Sequence, residues 1–248
     1  MTPVGIAPVG EAEDDLWRLV REVSTLLRGL PWTLVGGLMV RVIEAEHGAV
    51  TTWTTGDVDT VLDVRALSNA TEAAAARLVE AGFEPQRYGD GLTYRFIRAG
   101  DVVDVLAPDN AGPRASRVTV PPGETIEAIG SRAALNRRRL LVVEARDGPF
   151  EIPIPSLLGA IVMKARVAGD VQNPVIAAKH ERDLARLLAL VTNPVAARAE
   201  LSAKERGYLA ARAGLTRADH PAWRGVPGAE DGAIALAVMA GAKERPAA

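Results

Sequence analysis

The sequence has no cysteine, which at once removes disulfide frameworks, thiolate metal sites and thiol nucleophiles. Three histidines scattered over 248 residues are too few for a His-rich zinc site, so any bound metal is expected to be held mostly by oxygen. Aromatics make up only 4%, which leaves the packing to Ala, Val and Leu. Charge of one sign is also lacking: a formal net charge of −2 does not mark a strong nucleic-acid binder. Local basic stretches exist at "LNRRRLL" and in the Arg-rich segments after Ala196, and solvated faces explain them equally well. No apolar run approaches a bilayer span, "GAIALAVMAGA" being far too short, and "MTPVGIAPVGEAEDDLW" lacks the basic and apolar regions of a signal peptide. A cytoplasmic protein without membrane contact is expected. Neither common phosphate-binding loop is present: there is no G-x-x-x-x-G-K-[ST], and "LVGGLMV" lacks the third glycine of G-x-G-x-x-G.

What remains is 48% apolar and 24% charged, the composition of an ordinary globular chain able to bury a core. Residues 11–29 repeat apolar side chains at helical spacing (Leu16, Leu19, Val20, Val23, Leu26, Leu27) and stop at Gly29. "WTLV" reads as a short strand running through Gly36-Gly37 into the helix "LMVRVIEAE". An acidic strand follows, then a helix over "NATEAAAARLVEAG" with Asn69 or Thr71 as its cap. From Phe83 the period becomes two: "FEPQRY", "LTYRFIRAG" and "DVVDVLAP" predict strands joined by turns, residues 107–123 a loop, and "RRLLVVEAR" with "FEIPI" a hairpin. Beyond Pro155 the pattern is helical, with Pro174 at a first-turn position, and the tail "KERPAA" is expected to fray. The expected fold class is α+β: a mixed α/β domain over residues 1–154 and a helical domain over 155–248.

The stretch "TTGDVDTVLDV" places acids in a strand that is otherwise apolar. Asp57 and Asp59, at i and i+2, share one sheet face roughly 6–7 Å apart, a separation that one or two Mg²⁺ ions can bridge while also taking phosphate oxygens. A capping or ion-pairing role accounts for a lone D-x-D equally well. Asp63 falls at the strand end and Asp101 at a turn, but Asp104 stands in mid-strand between Val103 and Val105, costly to bury without a partner. If the two strands are neighbours, Asp104 joins Asp57 and Asp59 and can act as a base. Gly36-Gly37, at a strand–helix junction, expose backbone N–H groups at the positive end of a helix. Lys164 carries Leu157, Ala160, Ile161, Val167, Ala168 and Val171 around it at helical spacing, so it must snorkel or meet an anion. Asp183, four residues after Lys179, fits an exposed ion pair.

Gly36-Gly37, then Asp57-Val58-Asp59, then an aspartate on a later strand resemble the polymerase-β-type nucleotidyltransferase superfamily. "FEIPIPSLLGAIVMKARV" followed by "KHERDLARLLAL" is similar to the helical pattern of AbiEii/AbiGii-type toxin nucleotidyltransferases, so the resemblance spans roughly residues 30–192. It implies a nucleotidyltransferase-type sheet followed by a helical bundle, and Mg²⁺-dependent transfer of NMP from an NTP to an acceptor hydroxyl. By the same resemblance, Asp57 and Asp59 hold metal, Asp104 completes the site, Gly36-Gly37 cradle phosphate, Lys164 contacts the triphosphate and Asp183 supports the site. It further implies a toxin of a type IV-like pair, with tRNA as acceptor and a cognate antitoxin as partner. The sequence departs from the pattern in a long Gly37–Asp57 gap, in Thr54 and Thr55 where an arginine is common, and in His180 where an aspartate is common. A small-molecule nucleotidyltransferase and a catalytically silent nucleotide- or protein-binding member stay open as alternatives.

Overall fold

The computed structural model describes residues 3–6, 11–49, 53, 55–112 and 115–241; Thr54, residues 50–52 of the loop before it and the "KERPAA" tail lie outside the described residues. The chain divides into Met1–Gly159 and Ala160–Ala248, five residues beyond the division expected from sequence. The reason is local. The first turn of a long helix belongs with the preceding strand, and a Cβ built on Gly159 would lie 3.1 Å from Arg137 Cβ and 3.2 Å from Pro155 Cβ.

The first unit runs β1 (Val4–Gly5), α1 (Glu11–Leu26), β2 (Trp32–Leu34), α2 (Gly36–Glu46), β3 (Val58–Leu62) and α3 (Ala70–Glu80). It continues with β4 (Glu84–Gln86), β5 (Arg95–Arg98), β6 (Asp101–Pro108), β7 (Glu127–Ala128), α4 (Ser131–Asn136), β8 (Arg138–Ala145) and β9 (Gly148–Pro155). Among the described residues the main sheet has the order β2-β3-β6-β5-β4, with β7 against the end of β6, and a smaller sheet has the order β1-β8-β9. β3 and β6 are parallel, and the β2–β3, β5–β6 and β4–β5 pairs are antiparallel. The mixed sheet with flanking helices is the expected α+β class.

β6 is covered on both faces: Val103, Val105 and Ala107 are fully buried, and Asp104 is nearly so. α1 turns Leu16, Leu19, Val20 and Val23 inward at helical spacing, with Trp17 beside them. Each such side chain contributes about 1.5–3 kcal/mol on burial. The β5–β6 turn is two residues, Ala99 and Gly100, both at positive φ (50° and 98°), the conformation that matches the twist of a tight hairpin. Two local expectations change. Asn69 occupies the α3 cap position without a side-chain cap bond, while Thr71 Oγ1 donates instead to Val118 O at 2.7 Å. The segment after β6 also carries two short elements, β7 and α4, of two and six residues, too short for a periodic pattern to repeat several times.

The second unit contains α5 (Leu157–Asp170) from Ala160 onward, α6 (Pro174–Leu188), α7 (Pro194–Ala199), α8 (Ala203–Ala210) and α9 (Ala229–Ala240). Sequence chemistry sets these boundaries. Asn173 caps α6 with Pro174 at its first turn, Asn193 and Pro194 repeat the device on α7, and Ser202 with Glu205 forms a capping box on α8. The apolar run "GAIALAVMAGA" lies in and just beyond α9, which packs against α6, α7 and α8. Among the described residues no helix is long and apolar enough to cross a membrane.

Candidate active site

The site begins where β2 leaves the sheet. Val35 is still extended, and its N–H donates to Asp59 O at 3.0 Å, so the strand pairing persists to the last residue before the turn. Gly36 then adopts φ +70° and opens α2. A Cβ on Gly36 would sit 1.7 Å from Asp59 Oδ2, so glycine is required twice, by the backbone angle and by the carboxylate lying against it. Gly36→Ala is therefore expected to destabilise the protein by about 1–3 kcal/mol and to expel the Asp59 carboxylate from its place. Thermal unfolding checks the first effect, and a crystal structure of the variant with Asp59 unmoved would refute the second.

Gly37 makes room in the same way for Thr55, whose Oγ1 would be 2.9 Å from its added Cβ. Thr55 Oγ1 in turn donates to Asp57 Oδ1 at 3.0 Å. The glycine pair thus fits closely around the two acids of the D-x-D strand. Val35 supplies no side-chain cap, and the first turn of α2 carries no acidic residue, which leaves the positive helix end without an acidic side chain of its own.

Register completes the arrangement. Asp59 pairs with Asp104 across the parallel β3–β6 ladder, and Asp104 pairs with Arg95 across the antiparallel β5–β6 ladder. Asp59, Asp104 and Arg95 consequently form one row over three neighbouring strands, with Asp57 two positions before Asp59. One carboxylate oxygen each from Asp57, Asp59 and Asp104 lie within 4.8 Å of one another. Octahedral Mg²⁺ with bonds near 2.1 Å places its ligand oxygens about 3–4 Å apart, so a small contraction brings all three onto one ion. The donor set fits: hard carboxylate oxygens on a backbone fixed by sheet pairing.

Arg95 is the partner that sequence reasoning missed. Its Nε and Nη2 donate to Asp104 Oδ1 and Oδ2, both at 2.8 Å, and Nη2 lies 3.5 Å from Asp57 Oδ2. The Asp104 hydrogen bonds, partly offset by burial and reinforced by the charge of Asp104, push the Arg95 guanidinium above its already high range. This bidentate pair is how a mid-strand aspartate is buried at 5% exposure. Tyr94, stacked on Tyr88 with ring centroids 5.0 Å apart, is pushed up to about 12 by its hydrogen bond to Tyr88, by burial and by nearby Asp104, so it stays a neutral phenol at physiological pH.

The other candidates lie apart from the triad in role. Asp63 is taken by Arg65, with Nε at 2.8 Å from Oδ1, and Asp101 stands at the hairpin turn within 3.2 Å of Arg98. In the second unit Lys164 meets an anion, and that anion is Asp183: Nζ to Oδ2 is 2.7 Å, with both residues 2% exposed. Asp183 thus pairs with a lysine on α5 rather than with its own-helix neighbour Lys179. His180 is pushed down to about 4, chiefly by burial and then by Lys164, with Asp183 opposing. Its Nδ1 is buried without a hydrogen-bond partner among the described residues.

With a folded pKa below the unfolded value near 6.5, His180 contributes stability that is present above pH 6.5 and lost as pH falls toward 4. His180→Gln is expected to flatten that acid limb by on the order of 1 kcal/mol once solvent screening is allowed for. Urea unfolding at pH 7 and pH 4.5 measures it, and an unchanged slope would refute the assignment.

The basic stretch of "LNRRRLL" contributes Arg138 and Arg139 to a groove of about 810 Å³ that Arg21, Arg28 and Phe150 also line. Arg139 is paired with Glu46, and Arg138 donates to Trp32 O at 3.2 Å. This groove lies at the Trp32 end of β2, roughly 13 Å along the strand from Gly36.

No family model matches the chain, and no curated protein matches it. The chain is similar to a solved structure described as an antigenic nucleotidyltransferase-like protein from Paracoccidioides brasiliensis, with 14% identity and a TM-score of 0.49 over 82% of this chain and 88% of that one.

Proposed function

We propose that the protein is a metal-dependent nucleotidyltransferase that moves NMP from an NTP to an acceptor hydroxyl, with release of pyrophosphate. The observation that carries this reading is the packing of Gly36 against Asp59 inside a row that also holds Asp104 and lies beside Asp57. A bland account of the acids as surface ion pairs leaves unexplained why three converge and why a strand–helix turn is built around one of them. Asp57, Asp59 and Asp104 would hold Mg²⁺, which when bound supplies charge neutralisation for the phosphates.

The chain's own groups do the rest. Gly36 and Gly37, whose missing Cβ atoms leave room for Asp59 and Thr55, offer the backbone N–H groups at the start of α2 to phosphate. Thr55 orients Asp57, and Asp59 is fixed by its register and by Gly36. Asp104, with an oxygen released from Arg95, accepts the proton of the attacking hydroxyl. Phosphoryl-type displacement needs mainly positioning and electrostatic stabilisation, which this arrangement supplies. Lys164 and Asp183 neutralise each other at 2.7 Å, and the reading gives that pair the role of fastening α5 to α6.

The finer assignment is transfer to tRNA by the toxin of a toxin–antitoxin pair, and it is supported by the resemblance of the motif set and of the α5–α6 segment. Labelled NTPs with Mg²⁺ and either total tRNA or candidate small molecules test both levels. Label on tRNA supports the finer reading, label on a small molecule supports the coarser one alone, and no transfer to any acceptor overturns both.

A further inference from the structure

Among the described residues, three negative side chains and one positive one share the site, and the positive one holds the most buried acid by both oxygens. We infer that Arg95 is a positioning residue that couples metal binding to nucleotide binding, an inference that rests on the transferase reading above. Its guanidinium holds Asp104 in the ligand arc while no metal is bound, yields Asp104 to the cation, and then takes nucleotide phosphate as its new partner.

The geometry leads there in steps. Asp59 and Asp104 are direct neighbours on parallel strands, an arrangement of like charges that disfavours the folded sheet unless a cation answers it. Among the described residues Arg95 is such a cation, directly opposite Asp104 and within 3.5 Å of Asp57. With Nε and Nη2 each at 2.8 Å, both Asp104 oxygens already accept strong charge-assisted bonds. A divalent ion entering the triad must therefore compete with Arg95 for Asp104 and tolerate its charge nearby. Ligand number and charge set the affinity of such sites, so metal alone should bind weakly.

Phosphate changes the balance. The planar fork of a guanidinium matches phosphate as well as it matches carboxylate, which a lysine ammonium does not. Arg95 has a third of its side chain exposed, whereas Asp104 is nearly enclosed, so the guanidinium is the partner with room to shift. A triphosphate brought to the triad offers Arg95 a replacement anion as the metal takes Asp104. Binding of one ligand then strengthens binding of the other by the same factor, as linkage requires.

The experiment measures Mn²⁺ binding by electron paramagnetic resonance, without and with ATP, for wild type, Arg95→Gln, Arg95→Lys and Asp57→Asn/Asp59→Asn. Arg95→Gln is expected to bind Mn²⁺ alone about tenfold more tightly than wild type and to lose about tenfold of the Mn²⁺–ATP coupling. Arg95→Lys, which keeps the charge and loses the fork, should fall between them, and it carries the test if the glutamine variant does not fold by circular dichroism. Unchanged or weaker Mn²⁺ binding in the Arg95 variants, with wild-type binding abolished by the double asparagine variant, overturns the role of Arg95 and leaves the transferase reading standing. A wild type that binds no Mn²⁺ with or without ATP overturns both.

Discussion

Replacing Asp57 and Asp59 together by asparagine is expected to reduce NMP transfer by about 10³-fold or more, equivalent to about 4 kcal/mol of lost transition-state stabilisation, while leaving the protein folded. Asparagine keeps the shape of each side chain, so Gly36 still fits against position 59 and Thr55 still finds a hydrogen-bond partner at position 57. What disappears is two of the three negative charges that would hold a metal. Stability should change by no more than about 1 kcal/mol, because the relief of like-charge repulsion between Asp59 and Asp104 is offset by the loss of the Asp57 contact with Arg95. Arg95 keeps its bidentate partner in Asp104, so the buried charge of the sheet stays answered. Transfer assays and urea unfolding in EDTA give the two numbers side by side. Activity lost together with stability would indicate a structural cluster, and activity retained would remove the triad from the chemistry.

The hairpin that places Arg95 shows how much of this site could be read in the chain. "RAGD" was legible as a turn, and a two-residue turn at Ala99-Gly100 fixes the register of everything behind it. Counting three residues back from Arg98 and three forward from Asp101 sets Arg95 opposite Asp104. Residue types and spacing carry this signal once the turn is taken as two residues long. The parallel pairing of β3 with β6, by contrast, depends on a crossover through α3, β4 and β5 that no local pattern specifies. Helix caps were mixed for the same reason. Ser202 with Glu205 is a self-contained four-residue device, whereas Thr71 bonds to Val118, a partner 47 positions away. Gly36-Gly37 could be read as a turn, but the positive φ and the approach of Asp59, which together exclude a side chain at position 36, exist only in three dimensions.

Lys164→Met is expected to destabilise the protein by about 3–5 kcal/mol, because it leaves the Asp183 carboxylate buried without its lysine. Among the described residues the other cation paired with Asp183 is Arg186 at 3.4 Å, a longer contact from a more exposed side chain, which cannot replace Nζ at 2.7 Å. Lys164→Met/Asp183→Leu should recover most of the loss, since a buried pair exchanged for apolar groups of similar volume is often neutral or better. Helical circular dichroism during urea unfolding of the wild type, the two single variants and the double variant closes the cycle, and a coupling near zero would refute the pair's structural importance. The double variant also decides between two roles for Lys164. If the lysine serves α5 and α6 by neutralising Asp183, the stable double variant keeps a nearly wild-type KM for NTP. If instead it reaches the triphosphate, as the resemblance implies, the double variant is stable but its KM rises about tenfold or more with the loss of a charge-assisted contact. Burial at 2% exposure and a partner at 2.7 Å favour the first result, since a lysine already neutralised inside the helical unit would have to break that pair before it could bind an external phosphate.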